Sequence, residues 1–494
     1  MAKTLFHSSE KSNFILNMTE EQFSKLASRG LAIAMMMAPL FTLVPEISYS
    51  TSDFSEGYIS NYTFSAGGLV LGGVIAMIIT IIGLMKKYIS KWNIFPVCAM
   101  AVMVLWGVVS LVKGVDLSIS FYGYPNRGEG LLAIIFYFCF FAAAASLKRE
   151  TALKTIADGV VGVGVLNSAV SLIQIFTGEL SHYKSSTLGE EIYAASGLSM
   201  SPLFLAMALS LALTAAFVGF ITSESKARRI ILFCSAVLIS FVMMFTYSLI
   251  GICGFVLAVI IAVIAVFVLK APKKRLVCLP ASIAAAGAAI ALVFGGVIGN
   301  INSYRLYDGK LLWWCDSYMR ACASGSYDSS KVDIDDTLDV YSYLNSRTMD
   351  IIENNALVGT GPDQLAFALI NTSAEIDPNM SIPDFMTSEV NRGTFDKVYN
   401  EYLYTAATRG VPSLIALILV IGSALVLGIK SYRRRKTAEA FTISALTIAG
   451  VLIFFIGCSS ITFAPVFWTA AGAACAGIVT DKEKKAQKKL AKKK

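Results

Sequence analysis

The sequence predicts an all-α polytopic membrane protein, with about twelve transmembrane helices and one large helical extracytoplasmic loop. Composition is the first reason. Hydrophobic residues make up 56% of the 494 positions and charged residues 15%, against roughly 45–50% and 25% in soluble domains. The second is a series of apolar runs near 31–48, 65–85, 94–112, 130–147, 155–176, 198–222, 230–247, 249–269, 276–299, 411–429, 439–457 and 459–479. Each holds about 17–25 residues, enough for a helix to cross a hydrocarbon layer of about 30 Å. The third is the placement of the basic residues. With twelve crossings and a cytoplasmic N-terminus, the inner loops are 86–93, 148–154, 223–229, 270–275 and 430–438. These loops and the two tails hold 30 of the 41 Lys and Arg residues. Cytoplasmic segments show this bias because basic charge resists translocation.

Such a chain is not a soluble cytosolic enzyme, a secreted disulfide scaffold, a disordered chain or a nucleic-acid binder with a broad basic face. Five segments follow in order: a cytoplasmic or interfacial N-tail, 1–30; a nine-span bundle, 31–299; an extracytoplasmic helical cap, 300–410; a three-span bundle, 411–479; and a basic cytoplasmic tail, 480–494. Within residues 12–27, Phe14, Ile15, Met18, Phe23 and Leu26 recur at loosely helical spacing, which suits an interfacial helix. No short apolar core follows a basic start in the first 25 residues, so no cleavable signal peptide is expected. The run from Lys482 to Lys494 reads as a solvated stop signal near anionic lipid.

Metal chemistry finds little support. Seven of the nine cysteines lie in apolar runs, where a thiol behaves as a small hydrophobe. Cys315 and Cys322 face outward, too far apart for a bond on a straight helix. The histidines are His7 and His182 alone, and no CxxC pair or HExxH occurs. Neither metal nor cofactor is expected.

The outer segment 300–410 is the informative one, because loops longer than about 15 residues are usually functional or disordered. It carries enough apolar mass to pack, with Tyr304, Tyr307, Trp313, Trp314, Tyr318, Tyr341, Tyr343, Leu365 and Phe367. Leu338, Tyr341, Leu344, Met349, Ile352 and Leu357 predict a helix over 338–357. It ends before the turn Val358-Gly359-Thr360-Gly361-Pro362, and a second helix starts near Asp363. Gly359 and Gly361 read as turn glycines with positive φ.

The stretch from Ser346-Arg347 through Gly359-Thr-Gly361-Pro362 resembles a signature of the O-antigen ligase and polymerase family, in which an arginine precedes a helix leading into a G-x-G-P turn. Phe395-Asp396-Lys397-Val398-Tyr399-Asn400-Glu401-Tyr402-Leu403, followed by Arg409-Gly410-Val-Pro, resembles its second signature. Weaker echoes are Tyr124-Pro-Asn126-Arg127-Gly128, Ala195-Ser-Gly197-Leu-Ser-Met-Ser201-Pro202 and Thr246-Tyr-Ser248. The likeness runs from about 120 to 480. Two positions depart from it: Tyr399 stands where the family has histidine, and Leu249 where an arginine often follows Thr-x-Ser.

The resemblance implies an enzyme that takes a glycan carried on polyprenyl diphosphate and transfers it, outside the membrane, to a hydroxyl on a lipid or another glycan. A diphosphate leaving group calls for cations, and arginine suits phosphate oxygens through its planar two-pronged donors. Of the 11 outer Lys and Arg residues, Arg127, Arg347, Arg392, Lys397 and Arg409 are the cations available to such a site. Arg347, Glu401, Asn400 and Tyr399 are the expected catalytic residues, with Arg127, Arg409, Lys397 and Asp396 on the substrate. Tyr399 is a poor base, with an ordinary pKa of about 10, so Glu401 is the nearest ionisable substitute for the histidine. The incomplete ligase pattern favours polymerase. Blander readings stand beside these. Asn400 and Glu401 suit the cap of the helix into the tenth span, any outer arginine suits a lipid headgroup, and Asp158 suits the inner interface. The acidic run Asp333, Asp335, Asp336 and Asp339 lacks the glycine and final glutamate of a calcium loop and reads as solvated. The alternative function is a lipid-linked glycan flippase or other transporter, with Gly162, Gly164, Gly251 and Gly254 serving broken or closely packed helices.

Overall fold

The computed structural model describes residues 17–40, 66–124, 127–178, 180, 184–185, 192–199, 201–294, 306–307, 310–311, 337–369 and 396–478. Arg392, Cys315, Cys322, both histidines, the acidic residues 333–336 and the basic tail lie outside them. Helix follows helix along the chain. The first, α1 (Glu20–Met37), begins at a capping box in which the Thr19 hydroxyl accepts from Gln22 N and the Gln22 side chain accepts from Thr19 N. It runs unbroken through residue 30, where the sequence placed the border between tail and bundle.

Next come α2 (Gly67–Met85), α3 (Ile94–Ser110), the short α4 (Leu117–Tyr122) and α5 (Leu131–Ala145). Then follow α6 (Glu150–Thr177), α7 (Pro202–Thr222), α8 (Lys226–Met244), α9 (Leu249–Val268) and α10 (Cys278–Phe294). The segment 300–410 holds α11 (Thr337–Asn355), α12 (Leu365–Leu369) and the start of α13 (Glu401–Arg435), and α14 (Ala438–Ile453) and α15 (Ala464–Ala474) follow. Among the described residues 8 helices are long and apolar enough to cross a membrane, and α5 and α14 are shorter apolar helices. The fold is thus an α-helical polytopic bundle.

At its centre stands α7, buried along its whole length and packed by α6, α8, α9 and α14. Gly254 lets α9 close on it: a Cβ there would sit 1.8 Å from Ser210 Oγ. Without a hydrophobic drive between helices in lipid, such small contacts are how spans associate. Three helix breaks meet near the start of α7. Residues 194–199 are not helical and turn at Gly197 (φ +55°), and their amides and carbonyls are held by Asn167 and Gln174 of α6. Leu198 N donates to Asn167 Oδ1 at 2.9 Å and Gly197 N to Gln174 Oε1 at 2.8 Å. The turn at 245–248 receives Ala195 N on Phe245 O at 2.9 Å, and the turn at 454–463 reaches Leu198 O through Thr462. Unwound backbone at this depth is tolerable only because protein groups satisfy it.

Within the segment 300–410, α11 matches the helix read over 338–357. Gly359 (φ +77°) and Gly361 (φ +104°) make the expected turn. The second cap helix starts at Leu365 and is only 5 residues long. In α13 the helix is interrupted at Gly410 (φ +78°, ψ 164°), one residue before the apolar run begins. The turn clamps that break. Thr360 N donates to Ala407 O at 2.8 Å, Gly361 N to Thr408 O at 3.0 Å and Val411 N to Ala356 O at 2.7 Å.

Candidate functional site

Four stretches far apart in sequence converge where α5 and α13 begin: Tyr124 with 127–130, 359–364, 396–409 and 457–463. The charges they carry are matched in pairs. Lys397, 1% exposed, donates to Glu129 Oε2 at 2.6 Å and to Ser459 O at 3.2 Å, and lies 3.7 Å from Asp363 Oδ1. Glu129 also accepts the Tyr137 hydroxyl at 2.5 Å. Asp363 accepts Tyr124 N at 2.6 Å and Glu129 N at 3.2 Å, and its other oxygen takes the Tyr404 hydroxyl. One buried lysine therefore faces two carboxylates, and every carboxylate oxygen is met by a donor or by the ammonium. The Lys397 ammonium also lies 4.8 Å from the Tyr404 ring centre and 5.6 Å from that of Phe204.

A second pair lies on the first turns of α13. Glu401, Thr405 and Arg409 occupy successive i, i+4 positions of one helical stripe. Arg409 Nη2 donates to Thr405 Oγ1 at 2.7 Å and stands 3.4 Å from Glu401 Oε1. The other Glu401 oxygen accepts Ser459 N at 2.7 Å. Arg127 and Asp396 form the third pair, with the guanidinium 5.5 Å from the Phe204 ring centre. This pair is the most accessible of the three, its side chains 20% and 15% exposed against 6% and 3% for Arg409 and Glu401.

Burial and charge compete at each group. Burial draws the Asp396 carboxyl upward, but the charge and hydrogen bond of Arg127, helped by Lys397, hold it below the usual carboxylate range. Burial works against the Lys397 ammonium, yet Glu129 and Asp363 outweigh it and raise its pKa. Glu129 is raised, by burial first, with Asp363 adding to it against the pull of Lys397.

Glu129, Tyr137, Asp363, Glu401, Tyr404 and Arg409 line a small cavity. The room among them is about 10 Å³, space for roughly one water molecule. A sugar does not fit there. The cluster's outward-facing part is the Arg127–Asp396 pair.

Five of the eight residues expected from the sequence meet here: Arg127, Asp396, Lys397, Glu401 and Arg409. Lys397 is walled in by protein groups, so it holds the site together instead of presenting a free cation. Asn400 caps α13, its side-chain oxygen accepting Tyr402 N at 3.1 Å and Leu403 N at 3.2 Å. That is the blander of the two roles read for it. Tyr399 is buried against Tyr341, ring centres 5.7 Å apart. Burial, reinforced by Asp396, pushes its hydroxyl well above the ordinary tyrosine value, which makes it a poorer base still. Arg347 lies half-buried on α11 and makes no hydrogen bond or ion pair with the described residues. It is not part of the cluster they form.

Glu129, Tyr137, Asp363, Tyr404 and Ser459 belong to the site and were not singled out. Asp363, two residues before α12, has a φ of +55° and turns its carboxylate into the cluster. At the other end of the bundle Asp158 pairs with Arg228 at 2.6 Å, as an interfacial residue would. Among the described residues no group of three His, Cys, Asp or Glu side chains is placed to hold a metal. No protein-family model matches the chain, and no curated protein is found to be similar to it.

Proposed function

We propose that this chain is a glycosyltransferase of the cell membrane with twelve crossings and both termini in the cytoplasm. Its donor is a polyprenyl-diphosphate-linked glycan, and it acts on the extracytoplasmic side, as a polysaccharide polymerase in preference to a ligase. The observation that carries this reading is the gathering of Arg127, Asp396, Lys397, Glu401 and Arg409 at one end of the bundle. α5 starts at that end and runs to the basic segment 148–154 at the other.

In this reading the acceptor hydroxyl attacks the anomeric carbon, the glycosidic C–O bond to phosphate breaks, and polyprenyl diphosphate departs carrying the electron pair. Arg127 meets the diphosphate. Its partner Asp396 releases it to phosphate oxygens, which offer the same two-pronged geometry with more charge. Arg347 adds a second cation from the cap. Asp396, once free of Arg127, orients the acceptor hydroxyl and takes its proton, while the enclosed Glu401 holds Arg409 and the 459 backbone in place. Asn400 keeps an amide N–H₂ for a sugar hydroxyl while its oxygen caps the helix. Membrane lipid is the solvent, and no nucleic acid, metal or cofactor takes part.

Purified protein given radiolabelled polyprenyl-diphosphate glycan in detergent tests this. A ladder of lengthening products supports polymerase, and single transfer to a separate acceptor supports ligase. Arg127→Ala and Arg347→Ala lower transfer by about 10²–10³-fold each, as for removal of one charge-stabilising donor, with expression intact. Normal product from both variants would sink the assignment. A flippase is the second reading, favoured by the three unwound segments around α7, since transporters place broken helices at their binding sites. It is distinguished by movement of the labelled lipid across vesicles with no covalent product.

A further inference from the structure

Helix α10 stands at the edge of the bundle. Within it, Cys278, Leu279, Ser282, Ala286, Ala289 and Val293 are buried, and α8 is its main neighbour. Its other side is exposed at positions 280, 283, 284, 287, 288 and 291, an i, i+3, i+4, i+7 series. That face is flat: Ile283 is its one large side chain, and a Cβ added at Gly287 would meet nothing within 4 Å. Beside it α8 exposes Ile230 (55%) and Ile231 (64%), and Val277 (56%) leads into α10.

At the end of the bundle where this apolar face begins, basic residues outnumber acidic ones: the loops 223–229 and 270–275 carry seven Lys and Arg against Glu224 alone. The 3₁₀ turn Lys273–Val277 enters α10, and Lys226 opens α8. Arg275 ties the two starts to one end by donating to Ile221 O at 2.6 Å, at the close of α7. Lys226, Arg229, Lys270, Lys273 and Lys274 therefore share a corner. No carboxylate lies within ion-pair distance of any of the five among the described residues. The Arg229 Nε is buried without a hydrogen-bond partner. Elsewhere at this end, Arg149 reaches Glu21 and Arg228 reaches Asp158.

We propose that this corner is a binding site for an anionic phospholipid, its phosphate among Arg229, Lys273 and Lys274 and its acyl chains on the flat face of α10. Exposed small residues on a membrane helix also suit a second copy of the chain. The charge decides between them. Two copies meeting through this face in one membrane would bring two unneutralised basic corners together at the same depth, whereas a lipid phosphate neutralises one. Basic pockets between spans on the cytoplasmic side hold anionic headgroups in this way. The inference needs only that the protein resides in a membrane and is independent of the chemistry proposed for the opposite end.

Native mass spectrometry of the intact protein in detergent tests it, with phosphatidylglycerol and phosphatidylcholine of identical acyl chains as probes. The native chain should retain one phosphatidylglycerol at about tenfold lower lipid concentration than phosphatidylcholine, the order expected when one or two charge-assisted contacts of about 1 kcal/mol are added. The triple variant Arg229→Gln, Lys273→Gln, Lys274→Gln should lose that preference. The control Lys87→Gln, Lys91→Gln, at another exposed basic loop, should keep it. Equal retention of both lipids by the native chain, or an undiminished preference in the triple variant, overturns the proposal. So does displacement of the lipid by millimolar inorganic phosphate, which would make this a free-anion site. A dimer cross-linked through cysteines placed at positions 284 and 288 would assign the face to a second copy and overturn it equally.

Discussion

At the scale of single residues, buried charge is tolerated in this bundle because it is matched, and the matching makes firm predictions. Lys397 is the sole close cation for Glu129 and Asp363 within the described cluster. Removing one partner of a buried pair strands the other, at about 3–5 kcal/mol. Lys397→Met should therefore destabilise the protein by that order, read as a large fall in the temperature at which it loses monodispersity in detergent. Adding Glu129→Gln removes one stranded carboxylate and should restore part of the loss; a double variant no better than the single would show that the carboxylates are not what Lys397 neutralises. The Arg127–Asp396 pair makes a pH prediction. The folded pKa of Asp396 is depressed, so its contribution is complete above the unfolded value of about 3.9 and is lost as pH falls through the lower folded value. The melting-temperature gap between native protein and Asp396→Asn should be constant from about pH 7 to 5 and close only below about pH 4. A gap already closing near pH 6 would mean that Arg127 does not hold this carboxylate. None of this pairing could be read locally. Glu129 and Lys397 are brought together across 268 positions, and nothing beside Glu129 in the sequence marks it as a partner.

At the scale of elements, legibility follows the range of the forces. The helix of residues 337–355 and the turn at 358–362 were readable, because side-chain periodicity and glycine chemistry act over a few residues. The non-helical stretch 194–199 carries no periodicity and reads in the sequence only as part of a motif. Its structural role depends on amides supplied by Asn167 and Gln174 on another helix, which periodicity cannot report. Gly410 shows what a local signal can carry. Its φ and ψ lie in a region essentially reserved for glycine, and a Cβ there would fall 2.3 Å from Leu357 O. Gly410→Ala should cost about 1–3 kcal/mol in backbone strain, besides pushing the 356–361 turn off α13. Hydrogen exchange is the measurement: the Thr360 and Gly361 amides, now bonded to Ala407 and Thr408, should exchange faster in the variant. Unchanged protection at both would mean that the break does not need glycine. The same turn carries Asp363, so loosening it also disturbs the charge cluster.

At the scale of the whole molecule, the two ends differ in how they treat charge, and that difference predicts orientation. Around α5's start the charges are sequestered in pairs, with four carboxylates facing three cations: Glu129, Asp363, Asp396 and Glu401 against Arg127, Lys397 and Arg409. At the opposite end basic residues stand in excess, many without an acidic partner, in the loops that resist translocation. Both patterns follow if the paired end was exported, since a translocated segment with little net positive charge meets no such barrier. Single cysteines read this directly. In a background with the exposed Cys98, Cys234 and Cys253, together with Cys315 and Cys322 of the segment 300–410, replaced by alanine, Glu353→Cys on α11 should react with an impermeant maleimide added to intact cells. Lys274→Cys, before α10, should react only after the cells are opened. Both positions are exposed, so silence at either is a matter of side and not of burial. Labelling with the sides reversed would put the paired cluster in the cytoplasm, out of reach of any extracytoplasmic glycan, and the transferase reading would fall with it.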